Sequence, residues 1–371
     1  MNACGRVVRA QSDTKEAGFL VQNQNLDFKN EPYFISTDNY LLATINIGTP
    51  AQDFQLKIDI NSNEFWVVNT ECKSLQCNGL KGYMYPYREK VHYNQSDSST
   101  AEAKNEKFGL GFGQGFVKGE QLTDTVKIGE WTVTEKLNFI STSEIQLFFG
   151  YQPADGILGL GFEKQSLSEY KTWRNPIDDI LLSHGLEYYS LQLNQTDEKE
   201  IQGELQFGSR DHDICEHTEQ YAPSIDANSW RLALNRVEIG DILVEYNGKI
   251  ALDPSSVWIQ APSKIVNAVY NVIKPIHMSY YGYVVMCNDI KNKPSIHIKG
   301  SVDLEISSHN YILDLGYGGG YCAVTLIAND DGGFGGADMI IGEPLLRQYC
   351  QSFHVFEKKI GFSKNWKLNQ N

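Results

Sequence analysis

The chain has 371 residues, 41% of them hydrophobic and 21% charged, with a formal net charge of −14. That length supports one large two-lobed unit or two domains, each with a substantial core, and that apolar content excludes a disordered chain. The acidic balance argues against a nucleic-acid partner, which needs a basic face to meet phosphate, and no apolar run approaches the roughly 20 residues of a membrane span.

In chain order, Met1 to Arg6 opens no apolar secretory region, so a signal peptide is not expected within this sequence. Tyr40 to Ile47, Phe54 to Asp59, Phe65 to Val68, Thr123 to Ile128 and Ser190 to Leu193 read as strands: short β-branched or aromatic runs bounded by Gly, Asn or Pro. Pro176 to His184 reads as a short helix stopped by Gly185. Gly316 to Gly320 and Asp331 to Gly336 are glycine-rich, but neither leads into a Gly-Lys-Ser/Thr element, so hairpin loops are expected rather than phosphate cradles. The plan is all-β with minor short helices.

Two segments carry the chemistry. Leu56-Lys57-Ile58-Asp59 and Ile250-Ala251-Leu252-Asp253 each run an apolar strand into a lone aspartate, followed by small polar turn residues and a tryptophan, Trp66 or Trp258. Their surroundings repeat as well: Ile45-Asn46-Ile47-Gly48 precedes Asp59 as Val237-Glu238-Ile239-Gly240 precedes Asp253. Ile157-Leu158-Gly159 and Ile340-Ile341-Gly342 follow them. Such self-similarity predicts two related lobes, each delivering one carboxylate to the seam between them. Paired carboxylates suit general acid–base work, because two in contact share one proton.

The ordered set of motifs resembles the pepsin-like aspartic proteases from about Asn39 to Trp366, and the Cys215 and Cys350 pair resembles their nematode branch. The set comprises Asn46-Ile47-Gly48-Thr49-Pro50, the Cys72 to Cys77 loop, Phe112-Gly113-Gln114-Gly115, Asp155 to Gly161, and Ile341 to Tyr349. The resemblance implies a bilobal fold with a central inter-lobe sheet, an extended-peptide cleft and a flap. It implies Asp59 and Asp253 as the hydrolytic dyad, with Ser62 and Ser256 as dyad support. Residues 1–29 fall outside the match and are expected as a pro-segment remnant or an ordinary terminus, with lobes at 30–208 and 209–371. Cys72–Cys77 and Cys287–Cys322 would be family-like disulfides, Cys215–Cys350 could form a third, and Cys4 is left over. His212 and His217 flank Cys215, but without a further ligand a metal site is not expected.

The sequence also departs from the family. Where each dyad aspartate is usually followed by Thr or Ser and then Gly, this chain has Ile60-Asn61 and Pro254-Ser255. The hydroxyls that cross-brace the two loops, and both glycines, are therefore expected to be missing. Phe112 stands where a flap tyrosine would reach Trp66. Lys57, on the same strand face as Asp59, stands at a usually apolar cleft position, where it either pairs with Asp59 or reaches solvent. The expectation is a peptide-binding protein with impaired catalysis. The alternatives are an active acid endopeptidase with an unusual dyad and a non-catalytic interaction protein. No cofactor and no metal are implied, and a monomer is expected. The cysteines and the sequons at Asn94-Gln95-Ser96 and Asn194-Gln195-Thr196 suggest an oxidising route, to secretion or a lysosomal or endosomal lumen.

Overall fold

The structure is a computed structural model that describes residues 17–23, 41–81, 88–112, 115–129, 131–133, 136–162, 173–195, 201–227, 229–278, 282–316, 318–333 and 336–368. Cys4, Gly113, Gln114, Thr196 and most of the 1–29 segment lie outside these residues, as does the side chain of Phe112.

Strands dominate. Gln52–Asp59 shows why: Phe54, Leu56 and Ile58 are buried while Gln55, Lys57 and Asp59 alternate onto a half-buried face. That period of two is what a strand with one core face requires. The expected helix is present at Pro176–His184, with proline in its first turn and Gly185 closing it at φ 65°. A longer helix, Ser263–Ile273, turns Ile265, Val266, Val269 and Ile273 into the core, a helical spacing.

A 15-stranded sheet runs through the N-terminal half and into a central layer. In that layer Tyr188–Gln195 pairs with Ile201–Phe207 on one side and with Tyr349–His354 on the other, and Lys359–Lys364 and Gln220–Pro223 continue it. The end of the chain thus returns to bind the two halves together. Ala17–Asn23, in the segment that precedes the family motifs, is a strand of this sheet, between Ile201–Phe207 and Leu41–Ile47.

The two halves repeat one local topology. Gln52–Asp59 lies parallel to Gly156–Gly159, which is antiparallel to Phe65–Val68. Ile242–Leu252 likewise lies parallel to Met339–Ile341, which is antiparallel to Ile259–Ala261. Three disulfides, Cys72–Cys77, Cys215–Cys350 and Cys287–Cys322, tie a loop, the central layer and the C-terminal half.

Candidate active site

Asp59 and Asp253 each sit where a strand ends and the chain turns sharply beneath the following glycine segment. The Leu160 N–H donates to the Asp59 carbonyl at 2.8 Å, and the Gly161 N–H donates to the Ser62 carbonyl at 2.7 Å. On the other side, the Asp253 N–H donates to the Ile341 carbonyl at 2.9 Å, and the Glu343 N–H to the Ser256 carbonyl at 2.6 Å. The approach is too close for a side chain. A Cβ on Gly159 would stand 2.6 Å from the Ser62 carbonyl oxygen, and one on Gly342 would stand 1.9 Å from that of Ser256. This is the physical reason for the two apolar-apolar-Gly motifs.

The strands leading to the aspartates are anchored alike. Four residues before Asp59, the Gln55 N–H donates to Asp155 Oδ2 at 2.8 Å and the Gln55 carbonyl accepts the Asp155 N–H at 2.8 Å. Four residues before Asp253, the Lys249 N–H donates to Asp338 Oδ2 at 2.8 Å and its carbonyl accepts the Asp338 N–H at 2.9 Å. The environments of the two anchors differ. Asp155 is fully buried, and its Oδ1 accepts from Arg88 Nη1 at 2.5 Å and from the Val91 N–H at 2.9 Å. Asp338 is half-buried and accepts from the Tyr246 hydroxyl at 3.2 Å. Next to Asp155, buried Lys90 donates to the carbonyls of Gln152 and Ala154 at 2.7 and 2.5 Å, and burial pulls its pKa down to about 8, partly offset by Asp155.

Both carboxylates are half-buried and accept from the backbone two residues on. Asp59 Oδ1 takes the Asn61 N–H at 2.8 Å, and Asp253 Oδ1 takes the Ser255 N–H at 3.2 Å. Here the two turns diverge. The Ser255 hydroxyl also donates to Asp253 Oδ1, at 2.7 Å. The Asn61 side chain instead crosses to the other loop, where its Nδ2 donates to the Leu252 carbonyl at 2.8 Å. The expectation that both cross-loop braces are lost is therefore corrected on one side. An amide one residue further along the turn reaches the backbone next to Asp253, which Ile60, buried and apolar, cannot do.

Ser62 and Ser256 are buried under the turns at 3% exposure. Ser256 Oγ accepts the Trp258 N–H at 3.2 Å, and Ser62 Oγ has no hydrogen-bond partner among the described residues. Pro254 is buried beside Asp253. Lys57 is half-buried, paired in register with Leu42 and Ile157 on the face that carries Asp59. Trp66 packs edge-on against Phe149 at 5.3 Å, and its Nε1 is buried without a partner among the described residues. The hairpin of Glu102–Phe112 with Gly115–Asp124 pairs up to Phe112 opposite Gly115.

The sequence reading missed two residues here. Tyr189 lies fully buried below the Asp59 turn, its hydroxyl donating to the Leu160 carbonyl at 3.0 Å, and burial and the Asp59 charge raise its pKa well above the ordinary phenol value. Arg231 is buried at 2% exposure beside Asn61. Its only sequence signal is a cation inside the apolar run Trp230-Arg231-Leu232. Among the described residues one cluster, Cys287, Asp314 and Cys322, is compact enough for a metal ion, and both of its sulfurs are joined in a disulfide. No described helix is long and apolar enough to cross a membrane.

Known proteins show the same pattern. The chain is 29% identical over 352 residues to Aspartic protease 1 of Caenorhabditis elegans, covering 92% of this chain and 86% of that protein. It is 27% identical over 339 residues to Renin-2 of Mus musculus (88% of this chain, 80% of that protein). It is 26% identical over 351 residues to Pepsin A of Sus scrofa (90% and 83%). The profile of the family described as eukaryotic aspartyl protease matches residues 39–365. With nearly its whole length matched and its repeated strand–turn architecture in place, the chain belongs to the eukaryotic aspartyl protease family.

Proposed function

We propose that this chain is an acid endopeptidase of reduced turnover, in which Asp59 and Asp253 act as a water-activating pair on an extended peptide lying across the seam between the halves. The observation that carries this reading is the 2.8 Å bond from Asn61 to the Leu252 carbonyl, which ties the turn of one aspartate to the residue preceding the other. Carboxylates held close share one proton. The ionised member draws a proton from water as the water attacks the scissile carbonyl, and the protonated member polarises that carbonyl. Water is the nucleophile and the acid–base pair is carried by the protein, so this chemistry calls for no cofactor.

Reduced turnover is supported by the second turn. The Ser255 hydroxyl adds a bond to Asp253, and Pro254 brings no donor of its own. A displacement of about 1 Å at a reacting group costs roughly a hundredfold in rate. A second reading, a peptide-binding protein that no longer cleaves, is favoured by Trp66 Nε1, which is buried with no hydrogen-bond partner among the described residues. Lys57 on the Asp59 face would weaken a preference for bulky apolar side chains beside the cut. The three disulfides support an oxidising compartment, secretory or lysosomal/endosomal.

The test is cleavage of a diverse peptide library from about pH 3 to 7, across the carboxyl titration range. Hydrolysis should rise toward acid pH, and Asp59→Asn or Asp253→Asn should each reduce it to background. Unchanged cleavage in those variants rules out the dyad. A folded wild type that binds a non-cleavable transition-state peptide yet cleaves nothing establishes the second reading.

A further inference from the structure

We propose that Arg231 is a positioning residue for the dyad, acting through the side chain of Asn61; this rests on Asp59 and Asp253 being the reacting pair. Arg231 opens the strand Arg231–Ile239, in register with Ala251 two residues before Asp253. At 2% exposure its charge has lost nearly all its water, an arrangement that is unfavourable unless the surrounding groups compensate. Burial lowers its pKa below the ordinary guanidinium value, against the pull of Asp226. Its Nη1 donates to the Trp230 carbonyl at 3.1 Å and meets Asn61 Oδ1 in a longer contact of 3.4 Å.

A guanidinium has donors and no acceptor. The end of the Asn61 amide turned toward it must therefore be the oxygen, which sends the NH2 group the other way, to the Leu252 carbonyl. The flipped amide would set NH2 against guanidinium and oxygen against carbonyl, two repulsive contacts in place of two attractive ones. The 3.4 Å contact is too long for a strong bond. Its effect is to decide the orientation of the amide. Because the Asn61 backbone N–H holds Asp59 Oδ1, one residue both aims the first carboxylate and spans to the backbone beside the second. Arg231 sets that span, in which the Asn61 amide takes the place of the hydroxyl that Ile60 lacks.

The experiment compares wild type, Arg231→Met, Arg231→Lys and Ile60→Thr/Asn61→Gly with and without Arg231→Met. Methionine has similar length and suits an apolar site, so the fold should tolerate it. In the native loop, Arg231→Met should lower kcat about tenfold with KM changed by no more than about twofold, and Arg231→Lys, again a group of donors only, should recover most of the loss. In the Ile60→Thr/Asn61→Gly background the same substitution should change kcat by no more than about twofold, because a hydroxyl then makes the brace. An equal fall in both backgrounds, or a loss carried by KM, overturns the proposal. If wild type cleaves nothing, the catalytic reading fails, while the proposal is still decided by unfolding midpoints of Arg231→Met, Asn61→Gly and the double variant. Non-additivity of about 2 °C supports it, and additive shifts overturn it.

Discussion

The turn after Asp59 reaches out of its own half, whereas the turn after Asp253 closes on itself. Both begin with the same backbone bond to the aspartate, yet Asn61 spends its side chain on the Leu252 carbonyl and Ser255 spends its hydroxyl on Asp253. The supporting anchors diverge in the same sense. Asp155 is fully buried with Arg88 and beside Lys90, while Asp338 is half-buried with Tyr246. A duplicated fold therefore keeps its backbone pairing and lets each copy satisfy the polar groups beneath it differently, because the ladder constrains φ/ψ and leaves side chains free to vary.

The largest effect should come from removing the anchors. Asp155→Ala strands Arg88 and two backbone donors and should cost about 3–5 kcal/mol in urea unfolding. Asp338→Ala, at a half-exposed site, should cost about 1–2 kcal/mol. Equal losses would break the comparison between the halves.

Lys90 sharpens it further. Its folded pKa, about 8, lies below the 10.5 of an unperturbed lysine, so between these values the unfolded chain binds more protons. Stability should then rise with pH across this window and be lost as pH falls back through 8, by roughly 3 kcal/mol in all. The buried Tyr189 and Tyr311 and the partly buried Tyr270, whose pKa values the fold raises, work in the opposite direction above pH 10, where the unfolded chain ionises its phenols. The check is the difference between wild type and Lys90→Met in unfolding free energy from pH 7.5 to 10. A difference that stays flat would remove Lys90 as a source of asymmetry.

The smallest effect concerns the self-closing turn. Ser255→Gly keeps the backbone bond and removes the hydroxyl, and kcat should rise about threefold to tenfold, equivalent to about 1 kcal/mol. A fall would mean that the Ser255 hydroxyl aids the reaction.

Much of the site was legible because it is built from short-range pattern. The alternation around Ile58, the two aspartates at strand ends and the glycines that admit close backbone approach all leave local traces. Other features leave none. Ala17–Asn23 joins the central sheet by backbone pairing to Ile201–Phe207, about 185 residues away. The anchoring roles of Asp155 and Asp338 show only once their backbone partners are seen.

By itself, then, the sequence determined the two-copy β plan, the family and the two aspartates at matching strand ends, since strand period and glycine requirement are set by neighbouring residues. Only the tertiary structure decided how that pair is held. The Asn61 bond to Leu252 spans 191 residues and its contact with Arg231 spans 170. A side-chain amide can find a carbonyl that far along the chain only after both halves have packed, so no local pattern records it.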